Sequence, residues 1–242
     1  MKLERKCVMK ILALDSSGVV ASVAVLEEEN MIAEYTVNYK KTHSQTLLPM
    51  LDEIVKMAEI DLAEIDAIAV AQGPGSFTGL RIGSATAKGL GLALNKPIIA
   101  IPTVEGIAYN IYGTNQIVCP LMDARRKQVY TGLYTFENNR LQVLMAQKAV
   151  SVEEIIEEIN LLGTAEKKEV IYLGDGVDVY KDILEEKTKI SYTFAPSHVS
   201  KQRAGAVGAL AFQYWKDGKI ETAKEHKPEY LRLSQAERDR LE

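Results

Sequence analysis

The spacing of apolar and polar positions changes several times along the 242-residue chain. Residues 10–15 (Lys-Ile-Leu-Ala-Leu-Asp) form a short apolar run ending in a carboxylate. Two β-rich runs follow at 19–26 and 31–37, parted by the acidic turn Glu27-Glu28-Glu29-Asn30. Short strands joined by tight turns predict a three-stranded antiparallel meander. At Thr42 the period lengthens. Leu47, Leu48, Leu51, Ile54, Val55 and Ala58 recur at helical spacing and predict a helix over 43–59. Thr42 with Gln45 predicts a capping box at its start, worth about 1 kcal/mol. A strand at 67–71, a glycine-rich turn, a helix at 79–94, a strand at 97–101 and a helix at 103–112 then alternate. That order predicts a mixed sheet with helices on its faces.

The second half repeats the theme. Strands are predicted at 117–122, 128–136 and 141–149. Ser151-x-x-Glu154 predicts a capped helix that runs to Leu162 and stops at Gly163. The apolar run 170–173 reads as a buried strand ending at Gly174-Asp175-Gly176, followed by a short helix, a weak strand and a helix over 204–216. Three strands, a helix and another strand ending in a turn thus occur twice, which predicts two related α/β lobes, 1–112 and 113–242. The charged tail from Ser234 is expected to fray.

Composition narrows the classes. Twenty-nine Lys and Arg against 33 Asp and Glu give a formal charge of −4, which argues against strong unaided binding to nucleic acid. A local basic patch, or RNA contact made together with a partner, stays open. Two cysteines, Cys7 and Cys119, read as reduced thiols rather than a disulfide framework. Residues 1–8 are charged and carry no signal-peptide core, and Met9 is an alternative start. No apolar run approaches the ~18 residues that span a membrane. A cytoplasmic protein is expected.

The densest chemistry lies in Gly73-Pro74-Gly75-Ser76-Phe77-Thr78-Gly79-Leu80-Arg81-Ile82-Gly83. Glycines allow close backbone approach, and helix N-termini favour anions. Thr78 stands where a Walker loop and a dinucleotide fingerprint each need glycine, and no lysine follows. A structural turn and a binding turn using Gly73, Gly75, Ser76 and Arg81 both remain open. Ser76 lacks the Gly-x-Ser-x-Gly elbow of a nucleophile. Asp15, Ser16 and Ser17 end the first strand, where they fit either a phosphate or metal-water site, or an Asx turn. Asp123-Ala124-Arg125-Arg126-Lys127 fits an anion or RNA site, or a solvated hairpin. His43, His198 and His226 lack metal-site spacing, so no metal is expected. Gly79, Gly83, Ala87 and Gly91 recur every four residues as a small ridge. It invites a close helix partner, either 43–59 in the same lobe or a helix of another chain.

These motifs carry a resemblance when taken in order. Ile11-Leu12-Ala13-Leu14-Asp15-Ser16-Ser17, Thr42-His43-Ser44-Gln45-x-Leu47-Leu48-Pro49 and Gly73 to Gly83 come first. Asp123-Ala124-Arg125-Arg126-x-x-Val129-Tyr130 and Pro228-x-Tyr230-Leu231-Arg232 follow. Together they resemble the TsaB (YeaZ) family, bacterial partner proteins in tRNA threonylcarbamoyladenosine synthesis. The resemblance spans about 9–232. It implies an α/β fold of two ribonuclease H-like lobes from the actin-like/sugar-kinase superfamily, with mixed sheets flanked by helices. It also implies a subunit without catalytic activity of its own. That subunit would support TsaD, which transfers threonylcarbamoyl to N6 of adenosine 37 in ANN-decoding tRNAs, with the TsaE ATPase joining the pair.

On this implication Leu47, Leu51, Ile54, Gly79, Gly83 and Ala87 would line the interface with TsaD, or with a second copy in isolation. The tRNA would be met only within the complex. Ser17 replaces the glycine of the superfamily phosphate loop, so the nucleotide site reads as degraded. Gly174, Gly176 and residues 205–208 would be its relics, and no cofactor is expected. The competing expectations are an ATP-binding small-molecule kinase or ATPase of the same superfamily, and a metallopeptidase, whose ligands the sequence does not supply.

Overall fold

A computed structural model describes residues 8–39 and 42–232. Met1, Cys7 and the tail from Ser234 lie outside the described residues. The first half of the chain forms β1 (Lys10–Asp15), β2 (Ala21–Glu27), β3 (Asn30–Val37), α1 (His43–Met57), β4 (Ala67–Gly73), α2 (Phe77–Leu94) and β5 (Ile98–Pro102). β1 pairs antiparallel with β2 and β2 with β3, while β1 and β4 run parallel, in the sheet order β3-β2-β1-β4-β5. The predicted meander and the alternation after it are therefore present.

The second half forms α3 (Thr103–Ala108), β6 (Ile117–Asp123), β7 (Gln128–Glu137), β8 (Arg140–Ser151), α4 (Val152–Glu166), β9 (Val170–Leu173), α5 (Asp175–Lys187), β10 (Tyr192–Phe194) and α6 (Ala204–Lys216). Its sheet runs β10-β9-β6-β7-β8, with β6–β7–β8 antiparallel and β6–β9–β10 parallel. Read from the β8 end, this is the order of the first sheet. The repeat legible in the sequence is thus a repeat of topology.

Two compact units result, and neither is one continuous stretch. One gathers the chain up to Gln72, Thr78–Ile101 and Arg203–Pro228. The other gathers Gly73–Phe77, Pro102–Gln202 and the chain from Glu229 onward. In the first unit β1 is buried on both faces. Leu12 and Leu14 join Val23, Leu47, Ile54, Ile68 and Val70 in one core, while α6 packs on β1 and β2. At Gly208 any Cβ would collide with the Leu26 methyl and lie 3.1 Å from the Ala13 Cβ, so α6 sits close on the sheet there. The second unit has its own core, with Cys119, Leu121, Val129, Ile155, Ile159, Tyr172 and Leu184.

Three local expectations need correction. Thr42 is the N-cap of α1, but its hydroxyl donates to Gln45 Oε1 (2.7 Å) and caps no backbone N–H. Gly163 does not end α4. It is buried within the helix, where a Cβ would collide with Ile190 Cδ1, and Lys167 closes the helix in the left-handed region at φ 54°. The helix expected over 103–112 is regular only to Ala108 and tightens into a 3₁₀ turn at Tyr109–Ile111. Ser151 does cap α4, accepting from Glu154 N at 3.1 Å. Among the described residues no helix is long and apolar enough to cross a membrane.

Candidate functional site

Each sheet's central strand ends in an aspartate, and the two corners have opposite characters. In the first unit Asp15, Ser16 and Ser17 are at most 2% exposed. Asp15 Oδ1 accepts from Ser17 N (2.9 Å) and Ser17 Oγ (2.7 Å), a closed Asx turn. Burial pushes the Asp15 carboxyl up to about 6, against the opposing pull of the Ser17 bonds and His43. Ser16 Oγ donates to Gly79 O at 2.9 Å. A Cβ on Gly79 would overlap the Ser16 carbonyl, and one on Gly83 would overlap Ser16 Oγ. His43 Nε2 lies 2.8 Å from Gly18 O; a carbonyl only accepts, so Nε2 carries the proton. Buried His43 Nδ1 is left as an acceptor without a partner. The corner is filled by its own chain.

That finding relocates the small-residue ridge. Gly79, Gly83, Ala87 and Gly91 are buried; the first two approach the Ser16 turn, and Gly91 approaches Ala223 and Lys96 O. The closest neighbour of its first half is the strand-end turn at Ser16, with His43 at the start of α1 also 3.3 Å from a Cβ on Gly79. Leu47, Leu51 and Ile54 lie in the core of the same unit. The outward face of α2 instead carries exposed Arg81, Ala85, Gly89, Leu92 and Ala93, and α1 exposes Leu48 and Met57.

The remaining candidates fall in the second unit. Gly73 takes φ 131° before a cis bond to Pro74, and its N–H donates to Thr103 Oγ1 at 3.1 Å. Gly75 is half-buried and Ser76 exposed, while Phe77 stacks on Tyr230 at 4.7 Å. Gly174 and Gly176 press on the Leu121 backbone, which supplies the reason for glycine there without any ligand. The second corner repeats the first at its root, because Asp123 Oδ1 accepts from Arg125 N at 2.9 Å. It also accepts from Tyr180 Oη at 3.3 Å. Unlike the first corner, its tip is open, with Arg125, Arg126 and Lys127 all exposed.

Sequence reasoning missed the pairing of Ser16 with Gly79, because the two lie 63 positions apart and periodicity carries no such signal. It also missed the part-buried pair of His226 Nδ1 with Glu221 Oε1 at 2.6 Å. At α6 the expected relic of a phosphate site is occupied. Ala204 N donates to Ser22 Oγ (2.8 Å) and Gly205 N to Glu34 Oε1 (3.0 Å), and Glu34 is ion-paired with Arg203. A carboxylate stands where an anion would sit at that helix end. Among the described residues no three His, Cys, Asp or Glu side chains gather as a metal site.

Duplicated five-stranded sheets with helices define a two-lobed α/β protein of the actin-like/sugar-kinase fold. The ROK hexokinase of Thermus thermophilus shares that fold at a TM-score of 0.50 and 12% identity, over 87% of this chain and all of that one. A family model described as TsaD, tRNA N6-adenosine threonylcarbamoyltransferase, matches residues 30–239. The Bacillus subtilis tRNA threonylcarbamoyladenosine biosynthesis protein TsaB is 32% identical over 95% of this chain and 96% of its own. YeaZ from Pseudomonas aeruginosa superposes with a TM-score of 0.76 at 27% identity, over 92% of this chain and the whole of that one. The chain belongs to the TsaB (YeaZ) family.

Proposed function

We propose that this chain acts in tRNA threonylcarbamoyladenosine biosynthesis as the non-catalytic subunit that binds and activates TsaD. Its family membership carries the pathway. The filled Asp15 corner favours support over catalysis, because a nucleotide phosphate has no room where Gly79 closes on Ser16. The occupied N-terminus of α6 points the same way.

The burial of the helices' inner faces supports a partner surface on the outward faces of α1 and α2. Leu47, Leu51, Ile54, Gly79, Gly83 and Ala87 hold those helices on their own unit. Leu48 and Met57, on opposite flanks of α1, and Leu92 on α2 then remain exposed, and one flank would meet TsaD, or a second copy in isolation, with TsaE joining the pair.

The test is an omission assay with unmodified tRNA, threonine, bicarbonate, ATP and the cognate pathway proteins. Leaving out this chain should abolish modified adenosine. Undiminished product on omission would sink the subunit role, and ATP turnover by the chain alone would argue for the kinase-like alternative.

A further inference from the structure

We infer that the β6–β7 turn is a phosphate-docking knuckle that meets the tRNA backbone, an inference that rests on the tRNA-modification reading above. Both strand-end corners are rooted by the same Asx bond, Ser17 N to Asp15 and Arg125 N to Asp123, each 2.9 Å. The first is buried and filled. The second carries three consecutive basic residues into solvent, on a chain whose formal charge is −4.

The backbone of this turn is unusual. Arg125, Arg126 and Lys127 have φ of 64°, 56° and 57°, so three successive L-residues sit in the left-handed region. Only Gly, and occasionally Asn or Asp, visits that region routinely, and then as single residues. None of the three is Gly or Asn. The turn is nevertheless held at its base: Ala124 N donates to Gln128 O (3.0 Å), Gln128 N to Arg125 O (3.1 Å) and Arg232 Nη1 to Ala124 O (2.7 Å). A single tight turn points successive side chains in different directions, so the three cations fan out from a fixed base. Strain kept at such a site, where neutral turn residues would fit better, is a pointer to use.

The cations are not equivalent. Arg125 lies 3.6 Å from Asp123 and is partly balanced by it. Lys127 shares the rim of a small cavity with Glu153 and Asp182. Arg126 has neither kind of neighbour, and among the described residues neither Arg126 nor Lys127 forms an ion pair. Apolar side chains, Val152, Val179 and Ile183, line only the cavity on the Lys127 side, and the three tip residues are all cationic, so the tip itself offers a protein no buried core. Phosphates require only accessible positive charge. RNA is therefore the favoured occupant, with Arg126 as its leading contact.

The test uses the full chain in complex with TsaD, with Arg126→Asn and Lys127→Asn together. Asparagine tolerates left-handed backbone, so this variant deletes charge without straining the turn, and an unchanged melting curve checks that. Fluorescence anisotropy with labelled, unmodified tRNA at low salt should show affinity falling about tenfold, and the slope of log K against log salt falling by about 1 to 2. Arg126→Asn alone should account for more of the loss than Lys127→Asn alone. Equal affinity and slope in the double variant, or no tRNA binding by the wild-type complex with TsaD at low salt, would overturn the inference. The omission assay stays independent. Product lost on omission with unchanged tRNA affinity sinks the knuckle alone, whereas a tenfold loss of affinity with no effect of omission sinks the subunit role and leaves the knuckle standing.

Discussion

Asp15 combines full burial with a carboxyl held near 6, well above the ordinary 3.8. A raised acid binds its proton more tightly in the native chain than in the unfolded one. Its stabilising contribution is therefore complete below about 4 and is lost as pH climbs through about 6. The difference corresponds to about 3 kcal/mol at most. Asp15→Asn keeps an acceptor for Ser17 N and removes the buried charge. Thermal melts should show the variant more stable than wild type at pH 8, by about 1–3 kcal/mol, and the gap closing toward pH 4. A gap that is constant with pH would show that the folded and unfolded carboxyls titrate alike, so that Asp15 is better solvated than its burial indicates. Cys119 is inert by the same physics, since burial pushes its thiol up to about 12.

At the scale of elements, two motifs that look alike in sequence behave differently. Ser151 hydroxyl caps Glu154 N, whereas Thr42 hydroxyl turns to the Gln45 side chain. Ser151→Ala should cost about 1 kcal/mol in urea denaturation, and Thr42→Ala only a few tenths. Comparable losses would mean that the Thr42–Gln45 bond steadies α1 as well as a true cap would. The same limit governs Gly163: glycine at a helix stop and glycine at a close crossing are one letter, and only Ile190 across the gap separates them. Strands were the more legible elements. β1 to β3 follow from apolar runs and turn residues that are local in the chain, so the meander could be read directly. The ridge Gly79-Gly83-Ala87 was legible as close packing, but its neighbour, the Ser16 turn, was not.

For the whole molecule, the repeat of three strands, a helix and a further strand was legible because each half carries its own periodicity and turns. A cut at 112/113 is all that such patterns offer. The return of 203–228 to the first unit leaves no local signal, because it depends on Ser22 and Glu34 receiving the start of α6. The proposed partner face also belongs to this scale. A Cβ on Gly89 would meet nothing within 4 Å, so Gly89→Arg should leave folding intact while blocking close association. Size-exclusion chromatography with TsaD should show wild type co-eluting and the variant alone. Co-elution of the Arg variant would move the partner surface elsewhere on the chain. The interleaving of the units also sets an order of events during synthesis. Residues 102–202 emerge as an uninterrupted block with their own core, whereas the sheet of β1 and β2 waits for α6 to cover Ala13 and Leu26. Domains tend to fold as units while the ribosome delivers the chain. In this protein the segment made first is completed last, and for most of translation one side of its central strand has only a chaperone or the ribosome surface to shield it.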